Sequence, residues 1–276
     1  MSRLAARFAA LREAGRGALI PFLEAWDPDE ATSVALLRGM PSAGADVIEI
    51  GCPFTDPMAD GPTIQAAGRR ALKAGASLAR TLAMVRDFRR GDDATPIVLM
   101  GYLNPILQYG PERFCGDAAE AGVDGLIVVD LPSEEADLLV PHATARGLDV
   151  IRLVAPTTDD ARLPKVLADS SGFVYYVSIT GITGTRSAAY DDLAAAIPRV
   201  RRATGLPVAI GFGVRSPAQA AEAVRVADAA VVASALIDTL AASLDPQGRA
   251  TSDTVERVLA QVSALADGVR SARVQA

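Results

Sequence analysis

Eight short runs dominated by Val, Ile, Leu and Phe recur along the chain, at 18–23, 46–50, 96–100, 125–129, 149–153, 173–177, 207–210 and 229–232. They are continuous where a half-buried strand would alternate with polar residues, which suits parallel strands covered on both faces. Between them lie Ala-rich stretches of helical period, among them 30–42, 78–89, 112–121, 134–145 and 193–203, several followed by a Gly that suits a helix C-terminus. Strand and helix alternating eight times predict a closed (β/α)₈ TIM barrel as a single domain over 1–276. An open doubly wound sheet usually needs fewer strands, and no GxGxxG follows the first run.

Ahead of the first strand, Leu4, Phe8 and Leu11 fall at i, i+4 and i+7 and predict an amphipathic N-terminal helix. The segment is basic enough to suggest a transit peptide, but Glu13 breaks the acid-poor bias of such leaders. The second and third strands start 50 positions apart, farther than any other neighbours, which leaves room for a long loop and an extra helix. Barrels of this kind carry chemistry on the loops beyond their strands' C-terminal ends, so that loop is where catalytic groups are expected.

Composition narrows the picture. The chain has 276 residues, half of them hydrophobic, enough for one barrel. Its 27 basic and 33 acidic residues give a net charge of −6 with no basic block, which argues against a nucleic-acid surface. Cys52 and Cys115 are too few for a disulfide framework or a Cys-based zinc site and fit a reducing cytoplasm. No His, Cys or carboxylate cluster has metal-ligand spacing, and no apolar run reaches the roughly 20 residues of a membrane span.

Glu49 is the residue least expected from its surroundings, a carboxylate inside an apolar strand. It is either one half of a structural ion pair with an Arg or a general acid/base whose pKa is raised by a partly apolar pocket. Asp60, in a loop stiffened by Pro53, Pro57 and Pro62, is either catalytic or the N-cap of a helix starting near Pro62. Asp56 is expected to support a turn. After the sixth strand the segment FVYYVSITGITGTRS has the look of a polar lid over 180–187, and of Tyr175 and Tyr176 only one can point inward. Gly211, Gly213 and Ser234, after the last two strands, lie where barrels hold phosphate. His142, the only histidine, lies far from every strand end and is expected at the surface, while Trp26 either lines the pocket or shelters its loop.

The segments PFLEAWDP, EIGCPFTDPMADGPTIQ, MGYLNPILQYG, GVDGLIVVDLP, YYVSITGITGTR and GFGVRSP, in this order over 20–240, resemble the tryptophan synthase α family. The resemblance implies a carbon–carbon lyase that splits indole-3-glycerol phosphate into indole and glyceraldehyde 3-phosphate in L-tryptophan biosynthesis. It implies Glu49, Asp60 and Tyr175 as catalytic residues, Tyr175 being the inward tyrosine, and Thr183 in the closing loop. It further implies an indole pocket of Phe22, Ile64, Met100, Tyr102, Ile127, Val129 and Leu153, with phosphate contacts from Gly184, Phe212, Gly213, Ala233 and Ser234. No cofactor is expected in this chain. Pyridoxal phosphate is expected in a partner β subunit, in a cytoplasmic α2β2 heterotetramer. Two positions depart from the family's usual glycine: Trp26, before Asp27, and Ala233, before Ser234.

Overall fold

The computed structural model describes residues 2–177, 186–211 and 213–272. The chain opens with α1 (Arg3–Glu13), β1 (Ala18–Glu24), α2 (Glu30–Ala43) and β2 (Ile48–Gly51). Two helices, α3 (Pro62–Lys73) and α4 (Leu78–Phe88), then precede β3 (Ile97–Gly101), accounting for the long second interval. Next come α5 (Leu103–Tyr109), α6 (Pro111–Ala121), β4 (Gly125–Val128), a 3₁₀ turn (Ser133–Leu138), α7 (Val140–Ala145), β5 (Asp149–Val150) and β6 (Arg152–Val154). The remainder is α8 (Leu163–Leu167), β7 (Val174–Val177), α9 (Arg186–Ala203), β8 (Val208–Gly211), α10 (Pro217–Val226), β9 (Ala229–Val232), α11 (Ser234–Ser243) and α12 (Thr254–Ser271).

All strand pairs are parallel, in the order β5-β4-β3-β2-β1-β9-β8-β7-β6. The two ends of that order are consecutive in the chain. β5 pairs with β4, β6 pairs with β7, and Ile151 between them donates its N–H to the Leu126 carbonyl at 2.9 Å. Nine strand segments among the described residues therefore make eight staves of a TIM barrel, the fifth bending where it passes from one neighbour to the other.

The expected helix at 134–145 is broken. Pro141 has no N–H to continue a helix through the preceding turn, so the 3₁₀ turn ends at Leu138, Leu139 leaves helical geometry at φ −137, and α7 starts afresh with Pro141 in its first turn. Helix α9 begins at Arg186, ahead of the expected signal near Tyr190.

Inward positions alternate along each stave. Ala18, Ile20, Val47, Val98, Ile127, Ile151, Phe173, Tyr175, Ala209, Ala229 and Val231 form the barrel interior, closed from below by Leu4, Phe8 and Leu11 of α1. The Phe8 and Phe173 rings meet at 5.8 Å. Val174 and Tyr176 face the other way, into a cluster with Ile197 and Val200 of α9.

Aspartates placed just before strands fasten the same lower end. Asp46 accepts the Leu19 N–H at 2.9 Å, Asp124 the Ile97 N–H at 2.8 Å and Asp228 the Val208 N–H at 2.8 Å, each reaching the adjacent stave. Asp46 also holds Arg16, and Asp124 holds Arg3 and the largely buried Arg89. Asp124→Ala strands that guanidinium and frees a strand N–H, and is expected to cost about 3 kcal/mol of stability, read by urea denaturation. A loss below about 1 kcal/mol would show that the network is dispensable.

Candidate active site

Glu49 points inward because its neighbours leave no choice. Ile48 and Ile50 belong to the cluster under the helices and Val47 to the barrel interior, so a period of two sends Glu49 inside. It is 1 % exposed, one carboxylate oxygen has no hydrogen-bond partner, and no cation among the described residues pairs with it. The ion-pair alternative is therefore not what the structure contains. Burial in an apolar surrounding pushes its carboxyl up to about 8.

Tyr175 is the inward tyrosine, and burial together with the Glu49 charge raises its phenol well above the ordinary range. Gly211 makes room for it: a Cβ at that position would lie 2.4 Å from the Tyr175 hydroxyl.

Asp60 lies half-buried on the loop after β2 and does not cap α3. The N-cap is Gly61, with no side-chain cap bond, so the capping alternative fails. The Tyr102 hydroxyl accepts the Ala59 N–H at 3.0 Å and shares a hydrogen bond with the Asp60 carboxyl, while Gln65 donates to the Asp60 carbonyl at 2.9 Å. Burial raises the Asp60 carboxyl and the Tyr102 hydrogen bond opposes the rise. Phe54 packs on the Tyr102 ring at 5.3 Å. Asp56 is exposed and accepts the neighbouring Thr55 hydroxyl at 2.6 Å, a local turn contact.

Asp60 shares a cavity of about 360 Å³ with Phe22, Ile64, Met100, Tyr102 and Val129. Glu49 is not on its surface but is the register partner of Phe22, which is. Ile127 is fully buried in the barrel interior, and Leu153 packs against the same cluster. A second cavity of about 460 Å³ lies across the mouth, lined by Tyr175, Gly211, Gly213, Ala233, Ser234 and Arg215 among others. Gly213 has φ +45, which suits glycine, whereas Ala233 has φ −116 and loses nothing by not being one. Helix α11 starts at Ser234 with no side-chain cap, so its first N–H groups are free to meet an anion.

Thr183, Gly184 and Phe212 lie outside the described residues, as do positions 180–185 of the expected lid; 186 and 187 begin α9. Trp26 does not line either cavity. It adopts φ +72, belongs to the cluster under the helices, and lies beneath the Arg80 guanidinium at 4.9 Å, so it shelters the loop. His142 is half-buried on α7. Among the described residues no helix is long and apolar enough to cross a membrane, and no three metal-ligating side chains cluster.

Two charged residues of these cavities escaped the sequence. Arg215 lines the second and is ion-paired with Asp238 of α11. Glu24, the last residue of β1, lines the first and is 4 % exposed. The signal for Glu24 is akin to the one that exposes Glu49: an acid in an apolar strand, here at its end.

The family model described as "Tryptophan synthase alpha chain" matches residues 8–270. The chain is 73 % identical to the tryptophan synthase alpha chain of Granulibacter bethesdensis, covering all of this chain and 99 % of that one. It is 71 % identical to the tryptophan synthase alpha chain of Gluconacetobacter diazotrophicus, covering 99 % and 100 %. Among solved structures it is similar to tryptophan synthase subunit alpha of Legionella pneumophila, with TM-score 0.88 and 36 % identity over 98 % of this chain and 99 % of the other. A structure of tryptophan synthase from M. tuberculosis gives TM-score 0.85 at 37 % identity, over 98 % and 100 %.

The isolated burial of Glu49 has a consequence for stability. A carboxyl whose folded pKa is raised from 4.5 to about 8 binds its proton more tightly in the folded chain, so stability present below pH 4.5 is lost as pH rises through 8. The full loss amounts to about 5 kcal/mol. Glu49→Gln lacks this titration and is expected to gain on the wild type between pH 5 and pH 9, measured by urea denaturation at both. An unchanged difference at the two pH values would place the Glu49 pKa near its ordinary value.

Proposed function

The chain belongs to the tryptophan synthase alpha chain family, and on that premise we propose how its own residues split indole-3-glycerol phosphate into indole and glyceraldehyde 3-phosphate, the carbon–carbon lyase step of L-tryptophan biosynthesis. The observation that carries the assignment is a pair of carboxyls in opposite environments, Glu49 buried without a partner among the described residues and Asp60 half-buried on Tyr102. Environments that push two acids apart divide acid and base work between them.

Glu49, protonated near neutral pH, gives its proton to indole C3. The ring becomes an indolenine cation able to take up the electrons of the bond to the glycerol chain. Asp60, as carboxylate, faces the ring N–H and stabilises the positive charge there. Glu49, now a carboxylate, takes the proton of the adjacent glycerol hydroxyl as the carbonyl forms and the carbon–carbon bond breaks. One proton leaves Glu49 and one returns, so the residue ends as it began. Phe22, Ile64, Met100, Tyr102 and Val129 enclose the ring, with Ile127 and Leu153 beneath. Gly213, Ala233 and Ser234 turn backbone N–H groups and a hydroxyl toward the phosphate, joined by Gly184 and Phe212, and Thr183 belongs to the loop that closes over the substrate.

The chain needs no cofactor of its own, and its product passes to a partner. Indole is neutral and apolar and would be lost if released into water, so a pyridoxal-phosphate-dependent β subunit, in a cytoplasmic α2β2 assembly, receives it. That partner covers the catalytic mouth at the loop 53–57 and at the segment 104–110, most of it in α5; Met58 just beyond the first and Leu107 within the second are exposed apolar side chains.

Glu49→Gln is expected to abolish cleavage while leaving substrate affinity within about tenfold, and Asp60→Asn to lower kcat by about 10² or more. The wild-type rate should fall as pH rises through about 8, where Glu49 loses the proton it donates. Retained turnover in Glu49→Gln removes that residue from the mechanism. For the partner, cleavage is measured with and without the cognate β subunit alongside co-elution on a sizing column. A complex with raised kcat is expected, and neither at micromolar concentrations would favour a free-standing indole-releasing lyase.

A further inference from the structure

Glu24 has no part in the mechanism above, yet its side chain stands in the wall of the cavity that holds Asp60. It follows Ala18, Ile20 and Phe22 on the inward face of β1, and its register partner on β2 is Gly51. A Cβ on Gly51 would lie 2.3 Å from one Glu24 carboxyl oxygen, and a Cβ on Gly68 of α3 would lie 3.7 Å from the other. Two glycines thus leave a notch that the carboxyl fills. Among the described residues no donor hydrogen-bonds to it. The nearest cation, Arg70, is forked onto Asp27 at 2.7 Å through each of two nitrogens.

We propose that Glu24 determines which indole rings this cavity prefers, its carboxyl offering a hydrogen bond to a small polar ring substituent, hydroxyl or amino, and disfavouring an apolar substituent of the same size. The proposal rests on the reading of this cavity as the ring pocket. Burial, with Asp60 and Asp27 nearby and only Arg70 opposing, holds the Glu24 carboxyl well above the usual carboxylate range. In either protonation state its oxygens accept a hydrogen bond from a hydroxyl or amino group on the ring. An unsubstituted ring leaves those bonds to water. A methyl at the same place displaces the water and makes none of them, whereas a hydroxyl makes them directly. A site with a buried polar group left unpaired discriminates strongly against the analogue that lacks the matching group.

The test runs the lyase in the condensing direction, joining glyceraldehyde 3-phosphate to indoles that carry a hydroxyl, an amino or a methyl group at each benzo-ring position in turn. For at least one position the wild type is expected to favour the hydroxyindole over the matching methylindole by tenfold or more in kcat/KM. Glu24→Leu should lower that ratio at least tenfold, and Glu24→Gln, which keeps a donor and an acceptor, should retain much of it. Calorimetric binding of the same free indoles reads the preference without turnover. If condensation proceeds but the ratio in Glu24→Leu equals that of the wild type at every position, the role of Glu24 is overturned. If no indole is condensed but binding keeps a Glu24-dependent preference, the reading of the reaction falls and that of Glu24 stands. Neither condensation nor preference overturns both.

Discussion

A closed parallel barrel grants each stave only alternate positions on its inside, and those positions share one interior that water hardly enters. Every chemical property of the mouth follows from that constraint. In β2 the outward places go to Ile48 and Ile50, so the acid between them must lie inside whatever it costs. In β7 the same rule separates two adjacent tyrosines, sending Tyr175 toward Glu49 and Tyr176 under α9. Glycine at Gly51 and Gly211 then yields the volume that Glu24, Phe22 and Tyr175 occupy. The interior is thus filled by choosing where side chains are absent as much as where they are present.

Holding Glu49 in this interior without a partner among the described residues destabilises the folded chain above its pKa, and the opposite end of the barrel is built in the contrary sense. There Asp46, Asp124 and Asp228 each satisfy a strand N–H and each also hold an arginine, and α1 seals the interior with Leu4, Phe8 and Leu11. Buried carboxyls at the lower end are paired and hydrogen-bonded, and at the upper end Asp27 is held by Arg70 while Glu49 is left reactive. A fold that is only marginally stable overall can tolerate the second because of the first.

The strands were legible because an unbroken apolar run of five or so residues fits little besides a strand buried on both faces, and Glu49 was legible because it interrupts one. Glu24 is the same anomaly in a less visible place, since the apolar run ends at Leu23 and an acid just beyond it reads as part of the loop. The structure extends β1 by that one residue, and the extension is what turns Glu24 inward. Asp60 stayed ambiguous between cap and catalyst because the group that decides it, Tyr102, is distant in sequence and reaches it only across the closed sheet. The helix at 134–145 failed for a local reason, a proline whose missing N–H cannot bond back into the preceding turn, which outweighed the apolar period. Ala233 was unreadable in another way: whether a position needs glycine depends on φ, and φ there is negative.

The two cavities divide the mouth by chemistry as well as by place. One is walled by β1 to β4 with aromatic and aliphatic side chains and two acids, the other by β7 to β9 with glycines, a helix N-terminus and Arg215. Glu49 and Tyr175 interact electrostatically between them, each reaching inward from its own side of the barrel. A molecule with a flat apolar head and an anionic tail can satisfy both cavities only by lying across the mouth, and its middle then passes the pair of buried groups. On the proposed reading that middle is the bond between ring and glycerol chain. Catalysis then requires little from the scaffold beyond what closure already imposes, because binding the two ends in unlike cavities carries the scissile bond to the acid that the barrel could not pair.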